Sequence, residues 1–154
     1  MVAMQIHRDD PSRPDIVALL QQHFAVAQEH GDPETVHAFD NQELRSHDVL
    51  FFSARDNGEL LGIGALRGLD DRHYEIKSMH TAASARRRGV GTALLEQLIA
   101  TACEVGAERV SLATGTMDAL APARGLYQRM GFVECEPFGD YSANATNVHM
   151  TRKL

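Results

Sequence analysis

The sequence predicts a mixed α/β (α+β) domain in which helices cover one sheet. Three observations carry this reading. Residues 72–114 read as strand, long amphipathic helix, strand, an order that requires a parallel crossover. Two apolar runs flank Asp56-Asn57-Gly58, a turn whose Asn and Gly tolerate positive φ, so the strands on either side are antiparallel neighbours. Elsewhere apolar residues recur at helical spacing. Parallel and antiparallel pairs together mean a sheet packed by helices on its faces.

"MQIHR" reads as the first strand. The next helix, residues 10–31, places Ile16, Leu19, Leu20, Phe24 and Ala27 at helical spacing, and Gly31 ends it. A second, shorter helix is expected over 32–46, with Asp32 at its cap and Pro33 at its first position. The hairpin follows, then a strand over 72–81. The longest helix spans 89–108, with Val90, Leu94, Leu98, Ile99 and Cys103 along one side. A strand over 109–114 leads to a helix over 118–132, ended by Gly131. "FVEC" and "NVHMTRKL" read as the last strands. No repeat or linker divides the 154 residues, so 1–154 is expected to be a single domain.

Composition narrows the function. The net charge is −6, and the first 71 residues carry −8 while the rest carry +2. An acidic chain is a poor general nucleic-acid binder, because phosphate contacts dominate that affinity. A basic patch in the second half suits one small anionic ligand better. No run has the apolar length of a membrane span, and the start lacks the layout of a secretion signal. A cytoplasmic protein is expected. Cys103 and Cys135 give no metal spacing and no disulfide framework, and read as small buried or half-buried thiols. Eight histidines are scattered; His23, His30 and His37 recur every seven residues, but Gly31 to Pro33 breaks the helix between them. No metal site is expected.

The most specific stretch is Ser84 to Ala100, "SARRRGVGTALLEQLIA". A helix N-terminus leaves N–H groups without partners and carries positive potential, so it attracts phosphate. Gly89 and Gly91 let the backbone approach a ligand, and Arg86, Arg87 and Arg88 can pair with phosphate oxygens. The stretch reads as a cradle for a pyrophosphate. It is not a Walker loop, because no lysine follows Gly91. It is not a dinucleotide fingerprint, because Leu94 stands where a third small residue is needed.

"EIKSMHTAASARRRGVGTALL" followed by "LATGTMDALAPARGLYQRMGF" resembles the GNAT superfamily of N-acetyltransferases. That family carries R/Q-x-x-G-x-G/A after its fourth strand, filled here by Arg86, Gly89 and Gly91. It carries a Tyr shortly before Gly-Phe, filled here by Tyr127, Gly131 and Phe132. The first 70 residues match by layout only. The resemblance implies a mostly antiparallel central sheet with helices on both faces and a parallel β-α-β core. It implies acetyl-CoA as co-substrate and transfer of acetyl to an amine. By motif position, Arg86 and the backbone of Arg87, Arg88, Gly89, Val90, Gly91 and Thr92 would hold the pyrophosphate. Met79, His80 and Thr81 would pair their backbone with the pantetheine arm. Many relatives form homodimers, so the resemblance leaves a homodimer open.

Acetyl transfer needs a neutral amine, an activated carbonyl and a protonated leaving thiolate. The resemblance makes Tyr127 the acid, against the plain reading of a ring packed on the sheet. Glu75 is the candidate base, since a glutamate at the matching distance acts so in the family's histone acetyltransferases. Alternation puts Glu75, Lys77 and Met79 on one face of their strand and Tyr74, Ile76 and Ser78 on the other. Glu75 could equally pair with Lys77 or an arginine. His80 is a rival base whose parity turns it away from Glu75, and His73 lies at the strand mouth, expected to be solvated. Lys77, in a central strand, either pairs with Glu75 or binds an acceptor carboxylate. Thr114, Gly115 and Thr116 would lie where the family's sheet splays open, with hydroxyls that could order water or acceptor. Relatives often carry an Asn a few residues on, and Asp118 to Pro122 offer none. Phe138 and Tyr141 would wall an acceptor pocket or simply anchor the tail loop. The tail and the "EIKSMHT" strand resemble a bacterial subgroup whose substrates are mostly unassigned.

The leading reading is an acetyl-CoA-dependent N-acetyltransferase for a primary amine of a small or amino-acid-like acceptor. A protein or peptide acetyltransferase and a non-catalytic acyl-CoA sensor are the alternatives. No nucleic-acid or membrane partner is expected.

Overall fold

The computed structural model describes residues 4–30, 49–116, 118–139 and 147–154. Among these, the strands are β1 (Gln5–Arg8), β2 (Val49–Asp56), β3 (Glu59–Gly68), β4 (His73–Thr81), β5 (Arg109–Gly115), β6 (Val133–Cys135) and β7 (Asn147–Lys153). The helices are α1 (Pro14–His30), α2 (Val90–Glu104) and α3 (Ala121–Arg129). The strands form one sheet in the order β1-β2-β3-β4-β5-β7-β6. The β4–β5 pair is parallel and every other pair antiparallel, as the β-α-β and hairpin signals require.

The hairpin turn is the two residues Asn57-Gly58, with φ of 50° and 85°. Positive φ at both central positions matches the twist of the flanking strands. Helix α1 starts at Pro14, whose missing N–H is no loss at a first helical position. Its N-terminus is tied to β2 by buried Arg55, which donates to Asp15 from Nη1 at 2.6 Å and Nη2 at 3.2 Å, and to Asp9 from Nε at 3.1 Å.

The sheet has two unlike faces. On one, Ile16, Leu19 and Leu20 of α1 pack on Val49, Phe51, Ile63 and Ala65. On the other, Val90, Leu94, Leu95 and Leu98 of α2 pack on Leu66, Ile76, Val110, Leu112 and Met150, and α3 adds Tyr127. Helix α2 lies close to β3 because of a glycine. A Cβ on Gly62 would stand 2.8 Å from Val90 Cγ1, 3.1 Å from Leu94 Cδ1 and 3.1 Å from the His80 carbonyl oxygen.

Several boundaries differ from the sequence reading. Helix α2 ends at Glu104, and Gly106 turns the chain at φ 88°. Cys103 is exposed, not on the buried side, because Thr101 and Ala102 take the inward positions of that turn. Strand β5 runs on to Gly115, since Thr114 and Gly115 pair with Val148 and Asn147. The helix expected over 118–132 is a 3₁₀ turn (Asp118–Leu120) and then α3, with Pro122 in the first turn. Gly131, at φ 91°, closes α3 by donating to the Gln128 carbonyl at 3.1 Å, as a helix-ending glycine should. The expected helix over 32–46 and Tyr141 lie outside the described residues.

Gly62→Ala is expected to destabilise the fold by about 1–3 kcal/mol, since branched Val90 and a backbone oxygen leave no room for a methyl. Urea unfolding should show a lower midpoint with an unchanged slope.

Candidate active site

The site is built on a split in the sheet. Strands β4 and β5 pair over three residues, His73 with Arg109, Tyr74 with Val110 and Glu75 with Ser111. Beyond that both continue, β4 to Thr81 and β5 to Gly115, without pairing to each other. Each strand holds its outer neighbour along this stretch, β3 for β4 and β7 for β5. The gap is therefore an opening between two supported walls. The facing β4 edge, from Ile76 onward, carries backbone groups that a ligand can pair with.

The N-terminus of α2 stands next to this gap. A Cβ on Gly91 would lie 3.9 Å from Thr81 Oγ1 at the end of β4 and 3.2 Å from Leu126 Cδ2 of α3. A side chain at Gly91 would therefore crowd Leu126 of α3. Gly89 has the other glycine role: its φ is 78° and nothing lies within 4 Å of its missing Cβ. It caps α2 without any side-chain hydrogen bond. The first turn-closing bond runs from the Ala93 N–H to the Gly89 carbonyl at 3.1 Å, so the N–H groups of Val90, Gly91 and Thr92 precede the helical ladder. Arg87, at φ 65°, turns the backbone into this concave start. Arg86 and Arg87 are exposed, and Arg88 Nη2 lies 3.5 Å from Asp56 Oδ2 beside the hairpin turn. Val90 is buried, so it can offer a ligand only its N–H. Open N–H groups, positive dipole and two exposed guanidinium groups fit a pyrophosphate.

Strand β4 carries a bulge that resets its faces. Ile63 pairs with His80 and Ala65 with Lys77, so Ser78 and Met79 together stand opposite Gly64. Ser78 has φ 55°, a strained value for a residue with a side chain. Its buried Oγ has no hydrogen-bond partner among the described residues. Before the bulge Glu75 and Lys77 share the α1 face with Val49 and Ala65. After it His80 stands on that same face, opposite Ile63, while Met79 packs into the α2 side. This corrects the simple alternation, which put Met79 beside Glu75 and turned His80 away; the extra residue shifts parity by one.

The α1 face beside the gap is polar. Glu75 and Lys77 are 2% and 4% exposed, and Lys77 Nζ lies 3.7 Å from Glu75 Oε1, so the pairing left open by the sequence is made along the strand. His80 Nδ1 lies 3.2 Å from His23 Nδ1 of α1, with the rings edge to face. Burial pulls the His23 imidazole down to about 4. Burial, then Arg86, also lowers His80. His73 is half-buried, not solvated as expected. Its Nε2 is 2.6 Å from Ser111 Oγ, which is 2.8 Å from Thr151 Oγ1. Phe138 sits between His73 and His149, with ring centroids 5.7 and 5.6 Å away. Thr114 is half-buried in β5, and Thr116 is exposed just beyond it.

Tyr127 comes from the other side. It projects from α3 into the α2-side core, 7% exposed, with its ring edge-on to Phe132 at 6.0 Å. Burial pushes its phenol up to about 12. Among the described residues no group of three or more His, Cys, Asp or Glu side chains converges on a metal position. No helix among them is long and apolar enough to cross a membrane. The His23–His80 contact escaped sequence reasoning, because neither the bulge nor the approach of α1 leaves a pattern in the chain.

The family model for the acetyltransferase (GNAT) family matches residues 13–132. The chain belongs to this family. It is 44% identical over 151 residues to an uncharacterized N-acetyltransferase, YsnE, of Bacillus subtilis, covering 98% of this chain and 100% of that protein. A solved acyl-CoA N-acyltransferase from Klebsiella pneumoniae, described as putative in its name, superposes with a TM-score of 0.81 at 25% identity, over 99% of this chain and 98% of that one. A GNAT acetyltransferase from Elizabethkingia anophelis, solved with acetyl-CoA bound, shares the fold with a TM-score of 0.72 at 22% identity, over 98% of each chain. The protein is an N-acetyltransferase of the GNAT type, a family that uses acetyl-CoA.

His23 is held neutral in the fold, so between about 6.5 and about 4 the unfolded chain binds the extra proton and stability rises with pH. The Tm of the wild type should fall as pH drops through that window. His23→Leu should flatten this part of the Tm–pH curve, measured by calorimetry.

Proposed function

We propose that this enzyme moves the acetyl group of acetyl-CoA directly to the primary amine of a small or amino-acid-like acceptor. The observation that carries the reading is one juxtaposition: the open α2 N-terminus and an unpaired β4 edge meet at the split in the sheet. In this reading Arg86 and the backbone from Arg87 to Thr92 hold the pyrophosphate, and the backbone of Met79, His80 and Thr81 pairs with the pantetheine arm. The acetyl group then lies in the gap between the α2 side, with Tyr127, and the α1 face, with the titratable side chains.

Tyr127 serves the leaving thiolate. Its phenol, near 12, stays protonated at every physiological pH. The same burial makes the phenol reluctant to give its proton up completely. A hydrogen bond donated to the developing thiolate is the role that value favours. On the α1 face two groups can take the amine's proton, Glu75 and His80, and Glu75 is engaged by Lys77. Phe138, Thr114 and Tyr141 are the proposed acceptor contacts. The acidic first half favours a cationic acceptor, and Lys77 suits one that also carries a carboxylate. Two free thiols suit the cytoplasm as location.

Acetyl-CoA-dependent thiol release, screened over amino acids, polyamines, aminoglycosides and short peptides, tests the proposal. Release with one small-amine class is the expected result. Release with peptides alone would point to a protein acceptor, and CoA binding without release to a sensor. Tyr127→Phe should lower kcat by about 10- to 100-fold while the calorimetric Kd for CoA stays within twofold. Unchanged turnover would remove Tyr127 from the chemistry.

A further inference from the structure

We propose that His80 is the group that takes the proton from the acceptor amine, and that His23 is the residue that positions it. This rests on the acetyl-transfer reading. The β4 bulge and the His23–His80 contact carry it together. Without the bulge, His80 would face the α2 side; with it, the ring stands on the acceptor face within the strand segment that borders the gap. Tyr127 lies on the opposite side of the sheet. Attack by the amine and departure of the thiolate need proton handling on opposite sides of one carbonyl, and these two residues straddle the gap in that sense.

Two neutral imidazoles with Nδ1 atoms 3.2 Å apart share one hydrogen: one Nδ1 donates and the other accepts. His23 stays neutral down to about pH 4, so it remains able to accept. The catalytic arrangement has the proton on His80 Nδ1, donated to His23 Nδ1. That tautomer puts a lone pair on His80 Nε2, to which nothing among the described residues hydrogen-bonds. The groups around His80 are His23 from α1, Arg86 from the segment after β4, apolar Ile63 from β3, and Lys77 with Glu75 along β4 itself. Burial, and then Arg86, disfavours a proton resting on His80, which keeps the ring in its basic form near neutrality.

The proton balance is closed. The acceptor ammonium loses one proton to His80 Nε2, which passes it to solvent. The nitrogen–carbon bond to the acetyl group forms as the carbon–sulfur bond breaks. The second proton leaving nitrogen ends on the thiolate sulfur, beside Tyr127.

Two measurements test this. Long-range ¹H–¹⁵N NMR at neutral pH should show His80 as the Nδ1–H tautomer and His23 as the Nε2–H tautomer; the reverse assignment, or a charged His80, would overturn the proposal. In pH-rate profiles of thiol release, His80→Gln, which keeps the backbone groups proposed to pair with the pantetheine arm, should lower kcat about 100-fold or more and abolish the acid limb. His23→Leu should displace the acid limb, and His23→Asn, whose side-chain oxygen can still accept from Nδ1–H, should restore it. A merely structural pin between α1 and β4 would change Tm in these variants and leave the limb in place, which counts against the proposal. So would an acid limb kept in His80→Gln but lost in Glu75→Gln/Lys77→Met, which would assign the base to Glu75. No thiol release by the wild type with any amine would sink the acetyl-transfer reading itself.

Discussion

Everything at this site depends on how briefly β4 and β5 pair. Parallel strands joined by a crossover helix would ordinarily run side by side for their full length. Here the ladder stops at Glu75 and Ser111. Neither strand loses its shape beyond that point, because each is held by an antiparallel neighbour on its outer side. The sheet can thus expose backbone groups at its centre without giving up order. An unpaired edge is normally a liability that proteins cover; here it is internal, narrow and flanked by helix termini. The start of α2 and the body of α3 meet at its rim through Gly91 and Leu126.

The two faces of the sheet differ in polarity. The α2 side is the main apolar core, and burial there raises the Tyr127 phenol, so its hydroxyl remains a donor. The α1 side carries a band of polar residues in the same strands: Glu75, Lys77 and His80 in β4, Ser111 in β5, His149 and Thr151 in β7. Charges buried this deeply are tolerated when paired. Lys77 meets Glu75, and Arg55 meets Asp9 and Asp15, which also fastens α1 over the face it covers. The histidines are accommodated differently, by staying neutral.

The bulge at Ser78 links these arrangements. It places a strained residue, and a buried hydroxyl with no partner among the described residues, in the strand that borders the gap. Such features cost about 1–3 kcal/mol and persist where the surroundings over-determine them. What the bulge changes is side-chain direction. One inserted residue moves Met79 into the core and His80 out to the face that holds Glu75 and Lys77.

Much of this protein was legible in the chain. Asn57-Gly58 determined the hairpin, because few other residues accept positive φ twice in succession. The periodicity of Val90, Leu94 and Leu98 determined the buried side of α2, and Gly131 the end of α3. Gly89 determined the start of α2, since a residue at φ 78° ahead of a helix is most cheaply a glycine. These are local properties, decided by backbone sterics and spacing within a few residues. The tertiary structure decided what depends on distant partners. Leu126 of α3 came to lie against Gly91. Lys77 took Glu75 as its partner. The register of β3 against β4 created the bulge, and α1 brought His23 to His80 across 57 positions of sequence. A strand's alternation is readable only while its register is regular, and register is set by the neighbouring strand.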